Sequence, residues 1–107
     1  MRLNPTELAA IEQAANETFP PHSAVRLFGS RLDDTRRGGD IDLLVEPPEQ
    51  LSPRALVEQR TRFIARLYRL MGERRIDVLI VPADVPDDRL VIQAARHQGL
   101  LLTRVPA

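Results

Sequence analysis

Two hydrophobic periods alternate along the chain. Around residues 4–17 the apolar side chains Leu8, Ile11 and Ala15, with Leu3 ahead of them, recur at helical spacing. Asn4-Pro5-Thr6-Glu7 reads as the start of that helix: Asn4 caps, Pro5 suits the first turn, and Glu7 stands where a capping box needs its acid. Pro20-Pro21 stop it. The period then shortens, and Ala24 to Phe28 reads as a strand ended by Gly29-Ser30. A second strand begins at Asp40, with Ile41, Leu43 and Val45 on one side and Asp40 and Asp42 on the other. Glu46-Pro47-Pro48-Glu49 closes it.

Ser52-Pro53 opens the longest helix, expected from Pro53 to Met71, with Leu56, Phe63, Ile64, Leu67, Leu70 and Met71 at helical spacing. Gly72 ends it, and Arg75 to Val81 reads as a third strand carrying Asp77, Leu79 and Val81 on one face and Ile76, Val78 and Ile80 on the other. Asp84-Val85-Pro86-Asp87-Asp88 is a turn with helix-start acids. The last helix, about Arg89 to His97, is expected to pack Leu90, Val91, Ala94 and Ala95, and Leu100-Leu101-Leu102 to add a short edge strand. The expected fold is a small α/β (α+β) domain over residues 1–107: a mixed sheet of three to four strands, covered by helices on one side and carrying the carboxylates on the open side.

Composition narrows the classes. A chain of 107 residues with 43% apolar content suits one domain with a single core. Its 15 basic and 15 acidic residues balance, so it lacks the basic excess of a protein that grips long nucleic acid. Cysteine is absent, which removes disulfides, thiolate chemistry and zinc-thiolate sites. No stretch has the apolar length of a membrane span or a signal-peptide core, and a cytoplasmic location without membrane contact is expected.

Asp40 and Asp42 are the residues that need a chemical explanation. Carboxylates about 6 to 7 Å apart on one strand face repel, and each raises the other's pKa unless a cation lies between them. Mg²⁺, held by one or two carboxylates with water and substrate phosphates, would remove the conflict. Beside them, Gly29 lets a ligand approach the backbone closely, and a helix starting at Ser30 would aim N–H groups at phosphate oxygens. Arg31 and Arg37 in the intervening loop read either as phosphate clamps, because guanidinium meets phosphate as a bidentate fork, or as solvated residues balancing Asp33 and Asp34; Arg36 reads as a solvated loop residue.

Gly29-Ser30, nine intervening residues, then Asp40-Ile41-Asp42-Leu43 resembles the Gly-Ser-x9-Asp-x-Asp signature of the polymerase-β-like nucleotidyltransferase superfamily, and the small size resembles its minimal (MNT) members. Gly39, where that pattern often has Ser or another small polar residue, departs from it mildly. The resemblance implies that Gly29 and Ser30 hold the phosphates of a nucleoside triphosphate. It also implies that Asp40 and Asp42 bind two Mg²⁺ ions, and that a later strand supplies a third carboxylate. Asp77 is the candidate, since an acid inside an apolar strand is costly to desolvate unless paired or bound to metal.

The resemblance further implies transfer of AMP from ATP, with release of pyrophosphate, to a tyrosine of an all-helical HEPN partner encoded nearby. The chain would then be the antitoxin of a toxin-antitoxin pair and part of a hetero-oligomer. Two alternatives stay open: a homo-oligomeric transferase of small-molecule acceptors, and a nucleotide-binding module that neutralises a partner by contact alone. The helix 53–71 carries Arg54, Glu58, Arg60, Arg62, Arg66 and Arg69 away from its apolar stripe, a solvated face that could also meet an acidic partner.

Overall fold

The computed structural model describes residues 3–29 and 40–107. Its elements follow the order α1 (Pro5–Thr18), β1 (Ala24–Phe28), β2 (Ile41–Glu46), α2 (Pro53–Met71), β3 (Ile76–Ile80), α3 (Leu90–Gln98) and β4 (Leu100–Arg104). The capping box forms as the sequence predicts: Asn4 Oδ1 accepts from the Glu7 amide at 2.7 Å, and Glu7 Oε1 accepts from the Asn4 amide at 3.1 Å. α2 begins and ends where expected, with Ser52 Oγ accepting from the Ala55 amide.

The four strands form one open mixed sheet in the order β3-β2-β1-β4. β1 pairs antiparallel with both β2 and β4, whereas β2 and β3 run parallel. A parallel pair needs a long crossover, and the 19-residue α2 supplies it, returning the chain to the end of the sheet at which β2 began. The edge strand expected at 100–102 extends to Arg104 and carries a register shift opposite Val25/Arg26.

The sheet separates two apolar layers. Val25, Leu27, Ile41, Leu43, Val45, Ile76, Val78 and Ile80 face α1 and α2, where they meet Ile11, Ala14, Phe63 and Leu67. The rings of Phe19 and Phe63 lie 4.9 Å apart, tilted. Glu7, already in the capping box, also accepts from Arg74 Nη1 at 2.7 Å, and Arg66 pairs with Glu17 at 2.9 Å across the α1–α2 contact.

The other sheet face is not open along its whole length. Leu44 and Val81 pack there against Ile92 and Ala95 of α3, with Phe28 and Leu79 at the margin. Helices therefore lie on both faces, which corrects the expected one-sided cover. α3 also turns differently from its expected phase: Ile92 and Ala95 are buried, while Leu90 is 82% and Val91 45% exposed. Arg89 occupies its N-cap without a side-chain cap, and Asp87 instead accepts from the Arg89 amide and guanidinium.

Glu46 ties α3 to the sheet. Its nearly buried carboxylate accepts from Arg26 Nε at 2.6 Å and from Arg96 Nε at 3.0 Å. Arg96 also donates to the carbonyls of Pro82 and Val85, so one guanidinium fastens α3, β2 and the β3–α3 connection together.

Candidate functional site

Strand register brings two carboxylates together. Asp42 is the second residue of β2 and Asp77 the second residue of β3, and the two stand directly opposite in the parallel ladder. Their alternation partners Leu44 and Leu79 belong to the α3-side layer, so both acids share the α3 face, beyond the part of it that α3 covers. On the other flank of Asp42 lies the end of β1, where Phe28 is its antiparallel partner.

Gly29 follows Phe28 with φ +78°, a conformation that L side chains rarely adopt. A Cβ built there would lie 2.2 Å from Asp42 Oδ2. Glycine is thus needed twice, for the turn and for the space the carboxylate occupies. Gly29→Ala is expected to cost about 1–3 kcal/mol in backbone strain and to push the Asp42 side chain off its position. Thermal melts together with nucleotide titration check both effects; a variant equal to wild type in stability and binding would contradict this role.

Asp40 lies one residue ahead of β2 and is partly exposed, with Arg75 Nη1 4.0 Å from its Oδ2. The tightest carboxylate pair is therefore Asp42 with Asp77, across strands, rather than Asp40 with Asp42 along one strand. Asp42 is held above the ordinary carboxylate range, first by burial, then by the Asp77 charge and a hydrogen bond with Asp77, and last by the Asp40 charge. Ser30, Arg31 and Arg37, the other predicted phosphate ligands, lie outside the described residues.

The raised Asp42 pKa sets a pH dependence. Asp42 binds its proton more tightly in the fold than in the unfolded chain, so its contribution to stability is full below the ordinary carboxylate value. That contribution is lost as pH rises through the raised value. Metal-free wild type is therefore expected to lose stability relative to Asp42→Asn over that window. Mg²⁺ added together with a non-hydrolysable ATP analogue should restore the loss in wild type alone, by favouring the ionised pair. Paired melting curves against pH check this; parallel curves for the two proteins would contradict it.

Hard oxygen donors with unrelieved like charge fit Mg²⁺, with Asp42 and Asp77 as the pair that would hold it and Asp40 beside them. Among the described residues no group of three or more His, Asp or Glu is arranged to hold an ion by itself. Substrate oxygens and water would have to complete the shell, which is the usual habit of this ion.

Two clefts meet at Asp77. One, of about 450 Å³, is lined by Asp40, Tyr68, Arg74, Arg75, Ile76 and Asp77. The other, of about 280 Å³, has Asp42, Asp77 and Arg60 beside an apolar wall of Phe28, Val78, Leu79 and Val91. Arg60 was assigned from sequence to a solvated helix face, yet it reaches the carboxylate cleft. The signal was present, because Arg60 precedes Phe63 by three residues and Ile64 by four, which puts it on the border of the apolar stripe. His97 is exposed in the last turn of α3.

Among the described residues no helix is long and apolar enough to cross a membrane. No protein-family model matches the chain, and no protein of curated function is detectably similar to it.

Proposed function

We propose that the protein is a Mg²⁺-dependent nucleotidyltransferase of the minimal, polymerase-β-like kind, moving AMP from ATP to a hydroxyl acceptor. The observation that carries this reading is the juxtaposition of Asp42 and Asp77 on adjacent strands, with the tight Gly29 turn pressed against Asp42. Mg²⁺, when bound, neutralises the charge of the phosphates and lowers the pKa of the attacking group.

In the reaction the acceptor oxygen bonds to the α-phosphorus, the bond from that phosphorus to the bridging oxygen breaks, and pyrophosphate leaves. Asp77, on the flank away from Gly29, receives the acceptor's proton. Asp42, between the two, would hold the ions together with Asp77, with Asp40 beside them. Gly29 lies on the side of the leaving pyrophosphate. The nucleotide enters from the unroofed part of the α3 face.

The acceptor proposed is a tyrosine of a HEPN-type partner, with this chain as antitoxin. The exposed arginines of α2, among them Arg54, Arg62 and Arg69, support a contact with an acidic partner surface. The test is to incubate the protein with Mg²⁺, α-labelled ATP and the product of the adjacent reading frame. Label on a tyrosine of that product is the expected outcome. Tight association without label would replace transfer by neutralisation through contact alone, and label on a small molecule would replace the protein acceptor.

A further inference from the structure

We propose that Arg60 binds the α-phosphate of the nucleotide, the phosphate at which transfer occurs; this rests on the nucleotidyltransferase reading and adds a residue to it. Arg60 stands on α2, packed against the opposite face of the sheet from the carboxylates, and its side chain passes the free edge of β3 to line the carboxylate cleft. Its Nε donates to the Val78 carbonyl at 3.0 Å. That bond fixes the guanidinium one residue beyond Asp77. The two terminal nitrogens have no hydrogen-bond or ion-pair partner among the described residues.

A guanidinium anchored through Nε offers its remaining N–H groups as a preformed fork for an anion. The carboxylates in the same cleft are not its partners, since no ion pair joins Arg60 to Asp42 or Asp77. The order of elements decides which anion it meets. Gly29 ends β1, Asp42 lies in β2, Asp77 in β3, and Arg60 comes round the outer edge of β3. A triphosphate with its terminal phosphates at the Gly29 turn would place the α-phosphate over Asp42 and Asp77, and that phosphate is the one within the reach of Arg60. The β- and γ-phosphates fall at the opposite flank.

A purely structural role is the competing explanation, because the bond to Val78 also closes part of an exposed strand edge. Two substitutions separate the roles. Arg60→Gln keeps a donor for the Val78 carbonyl and removes the charge, whereas Arg60→Lys keeps the charge and cannot serve both partners at once.

The test is calorimetric titration of the folded full chain with the Mg²⁺ complex of a non-hydrolysable ATP analogue and, separately, with Mg²⁺-pyrophosphate, accompanied by thermal melts. Arg60→Gln is expected to melt with wild type, to bind the ATP analogue about ten- to a hundredfold more weakly, and to bind pyrophosphate unchanged. Arg60→Lys should retain most of the affinity for the analogue. Unchanged analogue affinity in Arg60→Gln would overturn the assignment, as would equal losses for both ligands. A loss in Arg60→Lys matching a drop in melting temperature would leave Arg60 a structural residue. Absence of binding by wild type itself would overturn the nucleotide reading instead.

Discussion

Replacing Asp40 and Asp42 together by alanine is expected to abolish nucleotide transfer, by at least about a thousandfold, in a protein that still folds. The fold should survive because neither carboxylate contributes to either apolar layer. Asp40 precedes β2 and has only a distant contact with Arg75. Asp42 is partly buried beside a second acid, so its removal relieves a repulsion instead of breaking a pair. In the absence of metal the double variant should melt at or above the wild-type temperature. Full transfer by a clean preparation of it would sink the assignment of the site.

The largest expected change in stability lies elsewhere, at Glu46. Its carboxylate is 8% exposed and is shared by Arg26 and Arg96, which are themselves only 25% and 22% exposed. Glu46→Ala leaves two poorly solvated cations facing an apolar gap and frees Arg96 from the bond that aligns it with Pro82 and Val85. Removing one partner of such a cluster costs about 3 kcal/mol, or about 12–20 °C in melting temperature for a domain of this size. Because Arg96 lies on α3, the loosening should spread to Ile92 and Ala95, and hydrogen exchange should accelerate there before it does in α1. Chemical denaturation of Glu46→Ala and Glu46→Gln measures the cost. A loss below about 1 kcal/mol would show that the network is solvated and weak.

Features with a local cause could be read along the chain. Asn4 and Glu7 are three residues apart and satisfy each other, and Ser52-Pro53 and Gly72 bracket α2 through the backbone preferences of those residue types. The apolar, β-branched run 76–80 marks β3 regardless of its surroundings. What escaped depends on partners far away in sequence. No local pattern sets the register that puts Asp42 opposite Asp77, thirty-five positions later. Nor does any local pattern show that Glu46, read as the end of a strand, receives two arginines.

The phase of α3 was misread because nine residues hold barely more than two turns, and Leu90-Val91-Ile92 offers an apolar side chain to nearly every direction. Tertiary packing chose Ile92. The same limit hid the cover of the second sheet face, since a helix that buries only Ile92 and Ala95 has too narrow a stripe to announce where it docks. The candidate acids were legible because their chemistry conflicts with folding alone: one carboxylate inside an apolar strand and two flanking Ile41 have no stabilising role in a core. Arg60 was not, because a long side chain on the border of a stripe can turn either way.

The central claim, that Asp42 and Asp77 form a metal site completed by nucleotide, is tested most directly by titrating Mn²⁺ into the protein under electron paramagnetic resonance, with and without a non-hydrolysable ATP analogue. Wild type is expected to bind Mn²⁺ tightly only when the analogue is present, with two coupled ions per chain, and Asp42→Asn/Asp77→Asn to lose that binding. Mn²⁺ uptake that is indifferent to the analogue, or equal in the double variant, would contradict it.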